Sequence, residues 1–391
     1  MYRIISTEKK PIKLWLLDAD KGTLEQAQNL ANHPCAFGHI ALMPDSHVGY
    51  GMPIGGILAT QNAIIPNAVG VDIGCGMCSL KTSLTEISRS SLISILLSIK
   101  SIIPRGKGWH KHAQEDWLSA NQQKELQGTI VEMEYQNSLR QLGTLGGGNH
   151  FIEIQKGSDG YIWIMIHSGS RNLGKTVAEI YNHKAIDLNQ KYNQAIPKKW
   201  QLDYLPLNSE ASQIYLKEMQ ACVDFAFLNR KTMMKRVKEA FLYHFAGRKQ
   251  IFFSNFINIP HNYAALETHF GQEVWVHRKG ATKASKGQAG IIPGSQGTKS
   301  YIVEGLGNAE SFESCSHGAG RKMGRREAKR KLNLNEEIDF MNAQGIIHEM
   351  TSTRDLDEAC SAYKDIDQVM SNQKDLVKIV LEMIPLAVVK G

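Results

Sequence analysis

The stretch NAVGVDIGCGM, residues 67–77, sets a carboxylate (Asp72) and a thiol (Cys75) three residues apart in a run of glycines that leaves no bulk around them. Four of the chain's 14 histidines stand in equally compact settings: His150 in GGGNHFIE, His167 in MIHSGSR, His261 in IPHNY and His317 in CSHGAGR. A histidine that ends an apolar strand before small residues presents its imidazole at a sheet edge, open to a metal or a substrate. Any one of them alone is more simply a histidine satisfied by a backbone hydrogen bond. Together with Asp72 and Cys75 they form a soft-to-borderline donor set suited to Zn, Mn, Fe or Co. A thiolate can also bridge two divalent ions, which pair about 3.5 to 4 Å apart in phosphoryl-transfer sites. Such a bridge gives Cys75 a reason to sit beside Asp72, and the glycines let metal and phosphate approach the backbone. Cys75 and Cys78 also have the CxxC form. A zinc knuckle needs a second matched pair and a thioredoxin-like motif needs a flanking βαβ pattern, and the sequence offers neither.

Phosphate is the second theme. LGTLGGGNH (142–150), HSGSRNLGK (167–175) and IIPGSQGTKS (291–300) combine Gly, Ser, Thr and basic residues, a composition that turns backbone N–H groups toward an oxyanion. None has Walker A spacing or the Rossmann fingerprint. Each lies near a candidate metal ligand.

Elements able to position these residues are legible in outline. Short glycine-broken strands are expected over 38–83, helices over 84–102 and much of 114–141, and one long helix or two joined end to end over 209–245. Further strands are expected at GNHFIEIQ, GYIWIMIHSGS, FINIPHNY, QEVWVHRKGA and SYIVEGLG, with a helix beginning in GAGRKMGRREAKRKL. Strands and helices interleave without a βαβ rhythm, so the fold class is α+β. No linker or repeat divides the 391 residues, which predicts a single domain over 1–391. Apolar content of 42% and charged content of 21% are those of a globular protein. No apolar run reaches bilayer length and MYRIISTEKK lacks a signal-peptide core, so a cytoplasmic protein with no membrane partner is expected. In that compartment the six cysteines should be thiols, ligands or nucleophiles. A net charge of +7 tilts the partner toward anions, nucleic acid among them.

NAVGVDIGCGM, LGTLGGGNHFIE, IHSGSR, HNY, RKGA, IIPGSQGTKS, GLGN, CSHGAGR and AYKDID, in this order, resemble the signature blocks of the RtcB family of RNA-splicing ligases. The likeness runs from about PDSHVG to the terminal VKG and includes PIKLW near the start. It implies a fold of mixed β-sheets with surrounding helices and a metal site at strand ends. It implies joining of an RNA 3′-phosphate or 2′,3′-cyclic phosphate to a 5′-hydroxyl, with GTP and two Mn²⁺ ions as cofactors. By the same resemblance Cys75 bridges the two ions, Asp72 and His150 complete one, His167 and His261 the other, and His317 carries the guanylate. Asn149, Glu153, Ser295, Gly320, Tyr363 and Lys390 fall where the family holds the guanine nucleotide. Glu153 lies three residues past His150, on the opposite face of a regular strand, so its role implies a local irregularity. Arg171, Lys279, Lys299 and Arg321, with Lys175 and Arg278, are candidates to line an RNA and triphosphate groove. Asp45 and His47 of MPDSHVGYG suit a supporting or substrate-contact role beside the site. His110 and His112 of WHKH fall in a basic tract that suits RNA contact or metal binding, and GRKMGRREAKRKL is basic enough to touch nucleic acid or to be a solvated helix face. The chain departs from the family pattern at Tyr50, commonly Lys, at His277, more often Thr, and around RGKGWHKH.

The expected mechanism is a guanylate on His317, transfer to the RNA 3′-phosphate as RNA(3′)pp(5′)G, and displacement of GMP by the 5′-hydroxyl. The substrate is tRNA exons or another cleaved RNA, with an archease-type activator as a candidate partner and a monomer as the expected state. The competing readings are a dinuclear phosphohydrolase or cyclic phosphodiesterase acting on RNA ends, and a non-catalytic factor that binds such ends.

Overall fold

Every residue of IWIMIHS is buried, as an apolar run must be when it forms a strand covered on both faces. In the computed structural model, which describes residues 1–191 and 196–391, this strand lies third in an antiparallel seven-stranded sheet. The order is β10 (Phe253–Pro260), β6 (Gly76–Thr82), β8 (Ile162–Ser168), β7 (Phe151–Gly157), β17 (Val377–Lys390), β15 (Ser300–Gly305), β14 (Ala289–Ile292). A second sheet of six strands runs β1 (Arg3–Ile5), β2 (Ile12–Leu14), β3 (Ala36–His47), β4 (Ile54–Thr60), β12 (Gln272–Lys279), β11 (Asn262–His269). It is mixed, because β2 and β3 are parallel while its other pairs are antiparallel. Two short ladders complete the pairing, β5 (Ala63–Ile64) with β9 (Leu205–Pro206) and β13 (Ala281–Lys283) with β16 (Ser314–Ser316).

Helices cover the faces of these sheets. The expected long helix is a single one, α7 (Glu210–Phe245), capped by the Ser209 side chain on the Ser212 N–H. Tyr215, Met219, Cys222, Ala226, Met233, Val237 and Phe241 are all buried along it, at the three- and four-residue spacing that draws one face inward. Its C-terminal half packs with α3 (Arg89–Ile102) on Leu80, Ile152, Ile154, Ile164 and Ile166 of the seven-stranded sheet. Its N-terminal half meets α5 (Ile130–Gln141) and α6 (Arg171–Lys191) through Tyr215, Met219, Phe225, Val177 and Tyr181. A third cluster joins the two sheets: Ala41, Ile57 and Val276 of one meet Ile292, Tyr301 and Val303 of the other, with α10 (Ile366–Ser371) alongside.

The differences from expectation have local causes. The helix expected over 84–102 begins at Arg89, where the Ser88 hydroxyl accepts from Ser91 N–H and ends the extended approach. The helix expected over much of 114–141 is two, α4 (Ala120–Glu125) and α5, separated at Gly128, whose φ is +77°. The helix expected to begin in GAGRKMGRREAKRKL is α8 (Arg325–Lys331), while α1 (Lys21–Ala31), the tiny α2 (Pro66–Val69), α6, α9 (Leu334–Ala343) and α10 were not anticipated. The start of α6 was hidden by the Gly- and Ser-rich HSGSRNLGK, where Gly174 in the first turn lets the helix press against Ser170 and the Ile73 carbonyl.

Candidate metal centre and nucleophile

Four neighbouring antiparallel strands, β10, β6, β8 and β7, alternate in direction, so the end of one and the start of the next fall at the same sheet edge. The ladder brings Pro260, Gly76 and Ser168 into register, and His167 against Phe151 and Met77. Residues flanking those positions therefore converge: Cys75 before β6, His150 before β7, His167 at the end of β8 and His261 after β10. Gly76 is required there, because a Cβ would collide with the Ile259 carbonyl of the adjacent strand. Because β7 begins only at Phe151, His150 lies outside the pleat of the strand that carries Glu153.

Cys75 Sγ lies 3.4 Å from His150 Nε2 and 3.3 Å from His167 Nε2, and His167 Nε2 lies 3.4 Å from His261 Nε2. Cys75, His150 and His167 form a group whose ligand atoms are close enough to share one ion. His150 Nε2 is 3.1 Å from Asp72 Oδ2, while Asp72 Oδ1 is out of solvent with no hydrogen-bond partner among the described residues. The far ring nitrogens are tied to backbone carbonyls, His150 Nδ1 to Leu145 at 2.8 Å and His167 Nδ1 to Asn149 at 3.1 Å. This fixes both rings with Nε2 toward the thiol, the orientation that backbone partners give to metal-ligating histidines. Burial, then neighbouring imidazoles, pushes the pKa of His167 and His261 well down, so both are neutral donors. Burial and the Asp72 charge push the Cys75 thiol well up. Burial works against ionisation of Asp72, but the His150 hydrogen bond and the charges of His150 and Arg171 hold its carboxyl below the usual range. Lone pairs crowded at one point, an orphaned carboxylate oxygen and a thiol that only a nearby cation would ionise together fit a divalent metal centre.

His317 follows β16 and reaches the same place from the other side, its ring centroid 4.8 Å from that of His261. Its Nδ1 lies 2.6 Å from Asp45 Oδ2, and the same oxygen accepts from the backbone N–H of His317 (3.0 Å) and Gly318 (3.3 Å). Asp45 is wholly buried; burial opposes its charge, but His317, Lys364 and His47 keep its carboxyl below the usual value. Lys364 of AYKDID holds the backbone on both sides of it, donating to the carbonyls of Pro44 (3.1 Å) and Ser46 (2.6 Å). A carboxylate can only accept, so in this contact Nδ1 of His317 carries a proton and Nε2 is the nitrogen turned away from Asp45. His47 sits behind Asp45, its Nδ1 against the Asp45 carbonyl, and burial lowers its pKa to about 4. Gly320 (φ +72°) packs on the Asp45 carbonyl where a Cβ would collide.

A cavity of about 410 Å³ is lined by Arg105, Gly148, Gln296, Arg354, Glu358 and Lys390, and of the expected nucleotide positions Lys390 alone is among its lining residues. Asn149 and Ser295 adjoin Gly148 and Gln296 in sequence. The Tyr363 hydroxyl bonds Glu358 and accepts from Arg321 at 3.3 Å. Glu153 is 2% exposed; burial raises its pKa to about 8 against the opposing pull of Lys390 and Gln155.

Among the basic candidates, Arg171 is turned inward, donating to Thr144 Oγ1 (3.3 Å) and the Gly106 carbonyl (3.2 Å). Arg321 is engaged with Glu358 and Tyr363. Lys279 is buried on the carbonyls of Tyr50 and Asn67, and burial lowers its pKa to about 7. Lys299 lies partly exposed between Asp367 and Glu382, and Lys175 pairs with Glu179 on α6. Arg278 does not line a groove: it is fully buried, paired with Glu267 and bonded to Ser314 and the Phe312 carbonyl. His277, where the family more often has Thr, accepts from the Ile65 N–H inside the core.

Two residues escaped the sequence reading. Asn229 and Arg230 lie on the buried face of α7. The Asn229 side chain bonds Gly143, Thr144, Ser168 and Gly169, and Arg230 donates 2.9 Å bonds to the carbonyls of Gly74 and Ser168. They brace the loops around Cys75 from behind. Their signal was a polar pair, FLNRKT, on the inward stripe of an otherwise apolar helix.

Residues 26–391 match the family model described as tRNA-splicing ligase RtcB. Over the full length of both chains the protein is 40% identical to "RNA-splicing ligase RtcB" of Escherichia coli (strain K12). It is 32% identical to "tRNA-splicing ligase RtcB" of Pyrobaculum aerophilum, over 98% of this chain and 95% of the relative. A similar relative of Thermococcus kodakarensis, with the same description, is 30% identical over 94% of this chain and 91% of its own. With the mixed sheets and the clustered strand-end ligands already in place, these matches establish that the chain belongs to the RtcB family of RNA-splicing ligases.

Proposed function

We propose that the chain, acting as one unit over 1–391, is a GTP- and Mn²⁺-dependent ligase joining RNA 3′-phosphate or 2′,3′-cyclic phosphate ends to 5′-hydroxyl ends in tRNA splicing or RNA repair. The observation that carries this reading is the His317–Asp45 pair, a nucleophile fixed in one tautomer, one imidazole away from the Cys75 cluster. His317 Nε2 attacks the α-phosphorus of GTP and forms a P–N bond as pyrophosphate leaves, while Asp45 stabilises the imidazolium character that develops on the ring. An oxygen of the RNA 3′-phosphate next takes the guanylate from His317, giving RNA(3′)pp(5′)G. The 5′-hydroxyl oxygen then attacks the RNA phosphorus and GMP leaves. Two Mn²⁺ ions held by Asp72, Cys75, His150, His167 and His261 would supply neutralisation of charge on the phosphoryl oxygens. Glu153, Asn149, Ser295, Gly320, Tyr363 and Lys390 hold the guanine nucleotide, and Arg171, Lys279, Lys299 and Arg321 contribute positive charge toward phosphate. A cytoplasmic monomer assisted by an archease-type activator belongs to the same proposal and rests on the family resemblance. No helix among the described residues is long and apolar enough to cross a membrane.

The test is incubation with α-labelled GTP and Mn²⁺, then denaturing electrophoresis, for wild type, His317→Ala and Cys75→Ala. Label retained by the wild type and lost from both variants is the expected result. No label on freshly metallated wild type, with or without an activator, would overturn the ligase mechanism in favour of a phosphohydrolase.

A further inference from the structure

Residues 104–112, PRGKGWHKH, supply Arg105 to the cavity described above, and the segment lies across the loop that leads to Asn149 and His150. Backbone bonds pin them there, from Leu145 N–H to the Pro104 carbonyl at 2.9 Å and from Gly106 N–H to the Gly146 carbonyl at 2.7 Å. Arg171, whose charge acts on Asp72, donates to the Gly106 carbonyl. At the other end Arg236 of α7 reaches the His110 ring (2.7 Å), the Gly143 carbonyl (2.6 Å) and Gln114 (2.6 Å). The backbone of His110 is also held at both its N–H and its carbonyl by Arg140 of α5.

Three side chains on this pinned strap are left over. Lys107 and Lys111 are exposed and have no ion-pair partner among the described residues. Trp109 is 37% exposed, more than any other of the six tryptophans. Its aromatic-face neighbour is the Arg140 guanidinium, 5.8 Å from the ring centroid. Trp117, eight residues on, shows what a structural tryptophan does here: it donates to Ser138 Oγ at 2.7 Å and packs edge-on against Phe225 at 5.1 Å. The nearest acids in sequence, Glu115 and Asp116, lie beyond His112, and Asp116 is engaged by the Tyr135 hydroxyl. A partly exposed indole with a lysine two residues to either side puts an aromatic face and two cations on one short pinned segment. It matches a single-stranded nucleic acid, whose bases stack on an aromatic face while flanking phosphates meet cations.

We propose that Trp109, Lys107 and Lys111 bind the single-stranded RNA next to the break, one base stacked on the indole and the neighbouring phosphates on the lysines. The strap then delivers the broken end across the glycine loop to His150 and His317. This rests on the RNA-ligase reading and adds the residues that grip the substrate outside the reacting centre.

The test is fluorescence anisotropy with a labelled 3′-phosphorylated RNA of about ten nucleotides, across a salt series, using Mn²⁺-loaded full-length protein. Wild type is compared with Trp109→Ala, Trp109→Phe and the double variant Lys107→Ala/Lys111→Ala, each checked by its melting temperature. Trp109→Ala is expected to weaken binding about tenfold, within the range for loss of one stacked base, and Trp109→Phe to recover most of it. The double variant should reduce the slope of log K against log salt by about 1.4, from about 0.7 per lost phosphate contact. Unchanged affinity in Trp109→Ala with an unchanged slope in the double variant would overturn the proposal, provided that wild type binds RNA and takes label from GTP. If wild type does neither, the ligase reading itself has failed and this inference falls with it.

Discussion

His261 and His317 stand with their rings 4.8 Å apart, and what lies behind each differs sharply. Around His261 are other electron-pair donors, with His167 Nε2 at 3.4 Å and the Cys75 sulfur beyond it, and burial keeps its imidazole neutral. Neutral nitrogens and a thiol facing one another gain nothing from proximity unless a cation sits among them. Behind His317 is a buried carboxylate that also takes two backbone N–H bonds and is flanked by Lys364. Such a partner fixes the tautomer and stabilises positive charge on the ring, which suits the nucleophile proposed for this position. In the proposed reading the same side chain serves as ligand at one position and nucleophile at the other according to its support.

The sharpest way to break this contrast is Asp45→Asn. The amide keeps the shape but can donate to Nδ1, favouring the tautomer with its proton on Nε2, where the attacking lone pair must be. Transfer of label from GTP to His317 should slow by about 10²- to 10⁴-fold, while Mn²⁺ content stays at the wild-type level. Equal labelling rates in the two proteins would remove Asp45 from the mechanism.

On the other side of the contrast, the Cys75 proton should report on the metal. Burial and Asp72 keep the thiol protonated at neutral pH without a cation, whereas His167 and His261 are already neutral. Binding a cation must therefore expel one proton, from sulfur. Calorimetry should show Mn²⁺ affinity rising about tenfold per pH unit between about pH 6 and 8, and Cys75→Ser should bind more weakly with a flatter profile. A wild-type affinity independent of pH would mean that the sulfur is not a ligand.

How much of this was legible in sequence follows from the same difference. The candidate ligand cluster announces itself, because Asp72, Cys75, His150 and His167 sit where apolar strands meet glycines and His261 follows the Pro that ends its strand, and antiparallel pairing of adjacent strands returns such breaks to one edge. The support of His317 does not, since Asp45, Lys364 and His317 are brought together from three separated segments by packing between the two sheets. MPDSHVGYG could be placed beside the site, but its division of labour, with Asp45 bonding and His47 standing behind, is a matter of side-chain direction. Helix α7 was legible from its unbroken period. Helix α6 was not, because its first turn begins at Arg171 with φ +59° and contains Gly174, which together read as a loop. Arg278 shows the converse error: the arginine of RKGA suggests phosphate, and only the fold reveals its ion pair with Glu267.

Asp45 and Glu153 repeat the contrast among carboxyl groups and allow the smallest of these tests. Both are buried, but Asp45 has an imidazole in contact and stays ionised, whereas Glu153 accepts from the neutral Gln155 amide at 2.7 Å and has its pKa raised to about 8. Its unfolded value is about 4.3, so between there and about 8 the folded protein holds a proton that the unfolded chain has lost. Stability from this group is therefore greatest at low pH and falls as pH rises through that window. Glu153→Gln has no proton to lose. Its melting temperature should be close to that of wild type at about pH 4.5 and exceed it by about 2 °C at about pH 8. A difference that does not change with pH would mean that Lys390, the opposing charge, already keeps Glu153 ionised. Glu153 would then belong with Asp45, as a carboxylate fixed by its cation.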